Sequence, residues 1–202
     1  MYVIKTVYKM KILNYSDNKR HSKPKGLMLI GEDDAIDISL CKNIIDYAIF
    51  VEPMRHNVEN LSRLITDKEN YHIVHAICSD SVIIENSNDK KSILTKFDIK
   101  LDVQIVNVDF IIDYLNSIGK HKITNNIDTL IINTQNSPLK VLMGAVNLFK
   151  QLKYIEFKMG GYENKNEYFN LISYISLLKN YGFILKNLEY IDKQYAEIIF
   201  VK

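Results

Sequence analysis

A glycine and a carboxylate follow two consecutive apolar runs at a spacing that suits nucleotide chemistry. Gly31 closes the first run, and Glu52 closes the next one 21 residues later. In nucleotide-binding α/β folds, a strand-end glycine lets a ligand approach the backbone, and a carboxylate about 20 residues further on accepts the ribose hydroxyls. The spacing therefore predicts that Gly31 and Glu52 face one nucleotide-type ligand. The alternatives are a plain turn at Gly31 and an exposed strand-end carboxylate at Glu52.

Two further pairs of polar residues follow predicted strands. Ser79 and Asp80 come after the third apolar run, where they can contact a ligand or simply cap the next element. Asn133 and Gln135 end a strand that we expect in the middle of the sheet. Open α/β sheets bind ligands beyond the carboxyl ends of their strands. Both pairs are therefore candidates for ligand contact, and polar strand ends with satisfied hydrogen bonds are the alternative.

Histidine and cysteine spacing does not predict a metal site. His72 and His75 are three residues apart, so on a strand their side chains point to opposite faces. The two cysteines, Cys41 and Cys78, lie far apart and form no Cys-x-x-Cys motif. We expect two buried thiols in a reducing compartment.

Composition excludes several classes of function. The chain has 202 residues, of which 47% are hydrophobic and 25% charged, and its net charge is +2. These values are typical of a globular protein without a broad field for nucleic acid or an anionic membrane. No apolar run is long enough to span a bilayer, and the N-terminus does not resemble a signal peptide. We expect a cytoplasmic protein, in the host cytoplasm or a virion if it is viral.

Residue usage suggests an AT-rich genome. Lys outnumbers Arg 23 to 3, and the chain holds 30 Ile and 20 Asn. Codons rich in A and T would produce this bias. The basic loop of residues 16–25 is consequently more typical of a solvated surface than of a phosphate site.

The apolar pattern alternates between buried strands and amphipathic helices from Gly26 onward. Residues 1–25 are predicted to form an N-terminal arm or loop, and residues 26–202 one α/β domain. Strands are expected at 26–31, 48–51, 73–77, 128–132, 153–159, 183–190 and 195–201, and residues 103–108 are compatible with a further strand. Helices between them predict a mostly parallel, seven-stranded sheet covered on both faces, with an antiparallel hairpin at its C-terminal end.

Four ordered blocks of the chain resemble S-adenosylmethionine-dependent methyltransferases of the FkbM type. The first block is Phe50-Val51-Glu52-Pro53 with residues 57–61, which is similar to the second strand and helix of that family. The other blocks are residues 75–80, residues 127–145 with the run Val141-Leu142-Met143-Gly144-Ala145, and the C-terminal stretch 177–201. The resemblance covers roughly residues 26–202.

The resemblance implies a Rossmann-like class I methyltransferase fold and a cofactor, S-adenosylmethionine. It also implies methyl transfer to a hydroxyl of a sugar or small molecule. The residues that match cofactor-binding positions are Gly31, Asp33, Glu52, Ser79 and Asp80. Asn133 and Gln135 fall in the block where the family carries its chemistry, and no metal is implied.

Several family positions carry other residue types in this chain. Leu29 replaces the carboxylate that ends the first strand, and Ala35 replaces the second glycine of the first loop. In the fourth-strand block, Asn133 replaces an aspartate and Pro138 a glutamate. A second hypothesis is therefore a degenerate methyltransferase fold that serves as a binding or structural subunit, in a homodimer or larger assembly. The two hypotheses stay open at the level of sequence.

Overall fold

The structure, a computed structural model, describes most of the chain from Pro24 to Lys202. The described residues are 24–31, 45–67, 69–82, 93–94, 100–101, 103–134, 138–160, 170–190 and 195–202. The predicted arm of residues 1–25 falls almost entirely outside these ranges, so the domain boundary at residue 25 stays a prediction.

The strands follow the buried apolar runs of the sequence closely. In chain order, those in the described residues are β1 (Gly26–Ile30), β2 (Tyr47–Glu52), β3 (Tyr71–Cys78), β4 (Ile93–Leu94), β5 (Lys100–Leu101), β6 (Gln104–Val106), β7 (Thr129–Ile132), β8 (Tyr154–Gly160), β9 (Ile184–Tyr190) and β10 (Tyr195–Val201).

Eight of these strands form one sheet, in the order β6-β3-β2-β1-β7-β8-β10-β9. The six strands β6, β3, β2, β1, β7 and β8 run parallel to one another, whereas β10 is antiparallel to both β8 and β9. The predicted α/β architecture with a C-terminal antiparallel hairpin is confirmed. The sheet has eight strands, and the one beyond β3, Gln104–Val106, lies within residues 103–108, where the sequence pattern is compatible with a strand.

The described helices lie between the strands. They are α1 (Arg55–Leu64), α2 (Val108–Ser117), α3 (His121–Thr124), α4 (Pro138–Met143) and α5 (Asn170–Lys179), with one 3-10 turn at Leu148–Lys150. No helix within the described ranges has the length and apolar character to cross a membrane.

Successive side chains of a strand point to opposite faces of the sheet, so the core has two layers. In β1, Met28 and Ile30 pack into a large cluster with α2, α4 and α5, while Leu27 and Leu29 pack into a smaller one with Leu61 of α1. A strand covered on both faces favours apolar residues at every position, which is why β1 and residues 130–132 of β7 form continuous apolar runs. Both strands are buried throughout.

Leu139, Leu142, Val146 and Phe149 share one helical spacing, but the helix that begins at Pro138 is interrupted. Helix α4 ends at Met143, and Phe149 lies in the 3-10 turn that follows. Gly144 sits at the break, where a Cβ atom would overlap the carbonyl oxygen of Ser79. Glycine therefore lets this turn pack closely against the backbone at the end of β3, at the point where the helix ends.

Two other boundaries differ from the sequence pattern. Tyr47 shares the helical spacing of the preceding residues but is the first residue of β2. Leu64 and Ile65 both continue the apolar spacing of Leu61, but Leu64 is 54% exposed at the end of α1 and only Ile65 is buried. Both differences lie at element ends, where local spacing constrains a residue least.

Candidate functional site

Gly31 forms the turn that ends β1. Its φ of +76° lies in the left-handed region, which favours glycine. Its N–H donates to the carbonyl oxygen of Val51 at 2.8 Å. A Cβ atom at this position would lie 3.0 Å from the carbonyl oxygen of Asn133. The backbone conformation and the neighbouring strand both require glycine here.

Glu52 is the last residue of β2 and is only 2% exposed. Its Oε1 accepts a hydrogen bond of 2.7 Å from the N–H of Met54, which closes a tight turn through Pro53. The register pairs Ile30 with Val51, so Gly31 and Glu52 occupy the next positions of adjacent strands. The structure thus brings together the two residues that spacing alone had paired.

Asn133 follows β7 on the other side of β1. Its N–H donates to the carbonyl oxygen of Ile30 at 2.8 Å, and the residue is half-buried. The end of β1 is therefore flanked by Glu52 on one side and Asn133 on the other. Asp33 and Gln135, two further candidates, lie outside the described residues.

Ser79 and Asp80 follow β3, the strand beside β2. The N–H of Ser79 donates to the carbonyl oxygen of Val106 at 2.9 Å, and its hydroxyl donates to Oδ1 of Asp80 at 3.0 Å. Ser79 is half-buried and Asp80 is exposed. These two residues lie at the same edge of the sheet as Gly31, Glu52 and Asn133.

The polar strand ends meet where the sheet changes direction. The chain runs outward from β1 through β2 and β3, and then returns to the other side of β1 at β7. In open α/β sheets such a switch point leaves a crevice at the carboxyl ends, where ligands bind. The arrangement offers a buried carboxylate, a closely approached backbone turn and an amide, which together can hydrogen-bond a polar ligand.

Comparison with solved structures identifies the fold. The chain is similar to the FkbM methyltransferase of Methylobacillus flagellatus KT, with a TM-score of 0.58 and 18% identity over 91% of this chain. It is also similar to an S-adenosylmethionine-dependent methyltransferase structure from Listeria monocytogenes, with a TM-score of 0.52 and 9% identity over 89% of this chain and 90% of that one. The fold is that of S-adenosylmethionine-dependent methyltransferases.

A third methyltransferase-fold structure was solved with the cofactor bound. Aeropyrum pernix fibrillarin, which carries natively bound S-adenosyl-L-methionine, has a TM-score of 0.51 and 11% identity over 89% of this chain and 67% of that one. This chain spans only 45% of the length of the Methylobacillus protein. No family model and none of the curated proteins matches the sequence. The expected resemblance is thus confirmed at the level of fold.

Two of the departures from the methyltransferase pattern are accommodated by packing. Leu29 is 2% exposed and lies in the smaller core cluster with Leu27 and Phe50. Pro138 is buried as the first residue of α4, a position where the missing N–H of proline costs no helical hydrogen bond. Neither side chain can accept a proton, so any proton transfer must use other groups.

Residue-type reasoning missed one contact in this site. His75 lies opposite Glu52 in the register of β2 and β3, and its Nε2 is 3.0 Å from the carbonyl oxygen of Pro53. The sequence predicts that His75 lies on a strand, but its spacing from His72 bears only on metal binding. No group of metal-binding side chains occurs within the described part of the chain. The pairing of His75 with Glu52 depends on the register of β2 and β3, which the sequence does not give.

The thiol of Cys78, next to the site, is unreactive. Cys78 ends β3 immediately before Ser79 and packs against the main core. Burial raises the pKa of the Cys78 thiol to about 12. A thiol with this pKa is almost fully protonated near neutral pH, so Cys78 is a structural residue and not a nucleophile.

Proposed function

We propose that this protein binds S-adenosylmethionine at the carboxyl ends of β1, β2 and β3. The observation that carries the proposal is the adjacency of Gly31 and the buried carboxylate of Glu52 at the switch point of a methyltransferase fold. A carboxylate in this place is suited to accept hydrogen bonds from two ribose hydroxyls, and charge-assisted hydrogen bonds are the stronger kind. The Glu52 carboxylate therefore fits the ribose of the cofactor as a hydrogen-bond acceptor.

Other residues around Glu52 complete the proposed cofactor site. Gly31 would give the cofactor access to the backbone at the end of β1, and Ser79 and Asp80 would receive the adenine amino group. Asp33 would accept from the cofactor ammonium group. When bound, S-adenosylmethionine supplies the methyl group. The chain's own task is to hold the cofactor and to orient the acceptor.

We propose as acceptor a hydroxyl group of a sugar or another small molecule. Asn133 lies at the end of β7, and its amide can orient a hydroxyl by hydrogen bonding but cannot remove its proton. Gln135 is a second candidate of the same chemistry. Methyl transfer depends chiefly on the alignment of the two reacting groups, so an amide in place of a carboxylate is compatible with slow catalysis.

A binding or structural subunit without catalysis is the second candidate. It is favoured by the burial of Leu29 and Pro138, since both occupy positions where the family pattern has carboxylates. Apolar packing has replaced those side chains while the framework of the fold is intact. In this alternative the chain works in a homodimer or a larger assembly.

Calorimetric titration with S-adenosylmethionine and S-adenosylhomocysteine tests the proposed cofactor site. We expect binding by the wild-type protein and a loss of tenfold or more in affinity in Glu52→Gln, because hydrogen bonds to a charged group contribute about 1.5–3 kcal/mol. Glu69→Gln is the matched control, since Glu69 is exposed in a surface ion pair with Lys122 before β3.

Equal affinity of the wild-type protein and Glu52→Gln would contradict the assigned role of Glu52. Absence of binding by the wild-type protein at millimolar cofactor would favour the non-catalytic alternative. Activity is tested separately, by transfer of a labelled methyl group to a panel of sugars and small hydroxyl compounds.

A further inference from the structure

His75 contacts the turn that carries Glu52. The two residues are register partners on adjacent parallel strands, so their side chains leave the same face of the sheet. The Nε2 atom of His75 lies 3.0 Å from the carbonyl oxygen of Pro53, the residue directly after Glu52. The ring therefore reaches from β3 across to the turn that ends β2.

The hydrogen bond fixes the protonation of one ring nitrogen. A carbonyl oxygen can only accept, so Nε2 of His75 must carry the hydrogen. Both the neutral tautomer protonated at Nε2 and the imidazolium satisfy this contact.

Two hydrogen bonds hold the turn in place. The N–H of Met54 donates to Oε1 of Glu52 at 2.7 Å, which fixes the side chain relative to its own backbone. The bond from His75 to Pro53 fixes that backbone relative to β3. Pro53 has no N–H, so its carbonyl is its one backbone hydrogen-bonding group.

We propose that His75 is a positioning residue for ribose recognition, which it serves by anchoring the Pro53 carbonyl and thereby the Glu52 carboxylate. This inference rests on the proposed function. A carboxylate that must accept two hydroxyls at once tolerates little displacement, because small misplacements cost hydrogen-bond geometry. The identity of His75 matters through its donor and not through its charge.

A matched set of variants tests the anchor. His75→Phe keeps a ring of similar size without a donor, His75→Gln keeps an amide donor, and His121→Phe is the control in the exposed first residue of α3. We expect His75→Phe to weaken binding of S-adenosylhomocysteine about fivefold, in line with one hydrogen bond. His75→Gln should restore most of the affinity, and His121→Phe should leave it unchanged.

A ligand without ribose hydroxyls separates positioning from general stability. We expect His75→Phe to bind the 2′,3′-dideoxy analogue of S-adenosylhomocysteine as well as the wild-type protein does. In a Glu52→Gln background, the same substitution should cause no further loss of affinity for S-adenosylhomocysteine, because the group that it positions is gone.

Several results would overturn the inference. Equal losses for both ligands, or additive losses in the double variant, would show that His75 has only a structural role. Nitrogen-15 spectra of the wild-type protein with His75 protonated at Nδ1 alone would also exclude the anchor, without any variant. Absence of S-adenosylhomocysteine binding by the wild-type protein would instead overturn the proposed function, and this inference with it.

Discussion

At the residue scale, the sequence spacing of Gly31 and Glu52 predicts where they lie but not the contacts that they make. Their separation in sequence predicted adjacency at one edge of a sheet, and the register of β1 and β2 places them side by side. The burial of Glu52 and its bond to Met54 were not predictable, because they depend on how the chain turns after β2. The hydrogen bond from His75 to the carbonyl oxygen of Pro53 was unpredictable for the same reason, because it depends on that turn.

Replacement of Gly31 by alanine should destabilise the fold. A left-handed backbone costs a non-glycine residue about 1–3 kcal/mol, and the new Cβ would also press on the carbonyl oxygen of Asn133. Gly119→Ala is the matched control, since Gly119 has a φ of +82° but nothing within 4 Å of the added carbon. Urea denaturation should show a larger loss for Gly31→Ala, and equal losses would contradict the crowding at Asn133.

The buried thiol of Cys78 predicts a pH effect. Its pKa is raised from 9.0 to about 12 in the folded protein. The unfolded thiol therefore ionises first, and the free energy of unfolding should be unaffected below pH 9 and fall as the pH rises toward 12. The fall should approach about 1.4 kcal/mol per pH unit.

Comparison with Cys78→Ala isolates this effect, in a Cys41→Ser background that leaves no second thiol. The difference in free energy of unfolding between the two proteins should be constant up to pH 8 and change between pH 9 and 11. A constant difference over the whole range would show that Cys78 ionises normally in the folded state.

At the element scale, strands buried on both faces were the most predictable part of the chain. Runs such as Leu27–Ile30 and Leu130–Ile132 have apolar residues at each position because each face has its own cover. The interruption after α4 was not predictable from local sequence. Gly144 there packs against the backbone of Ser79, a residue 65 positions away. Local periodicity contains no information about such a distant contact.

Helix α2 gives an element-scale prediction about capping. Oδ1 of Asn107 accepts from the N–H of Phe110 at 2.7 Å and so caps the helix. Asn107→Ala should lower the free energy of unfolding by about 1 kcal/mol. Asn147→Ala is the control, since the side chain of Asn147 caps no N–H of the 3-10 turn that it precedes. Chemical denaturation that gives equal values for the two variants would argue against the cap.

At the scale of the whole molecule, the sequence predicts the class of fold but not the order of all strands. Alternating strands and helices indicate a parallel sheet, and two consecutive strands at the C-terminal end indicate the hairpin. The short strand β6 pairs with β3 through only three residue pairs, so nothing in its sequence marks it as the edge of the sheet. The solved methyltransferase structures support the architecture at identities of 9–18%.

The architecture also explains why the candidate site was partly predictable. Parallel strands in one sheet end at the same edge, so residues that follow β1, β2, β3 and β7 must converge there. Glu52 ends β2, the other candidates, Gly31, Ser79, Asp80 and Asn133, follow β1, β3 and β7, and the structure brings all five to this edge. Their spatial arrangement depends on turns, which are set by hydrogen bonds between distant residues.

The most direct test of the cofactor site is to map where S-adenosylhomocysteine binds by following backbone amide signals during a titration. We expect the amides of five residues to shift together and saturate at one affinity: Gly31, Glu52, Met54, Ser79 and Asn133. Amides at the opposite edge, such as Gly26, Tyr47 and Thr129, should stay in place. Shifts confined to that opposite edge, or none at millimolar ligand, would contradict the claim that these strand ends form a cofactor site.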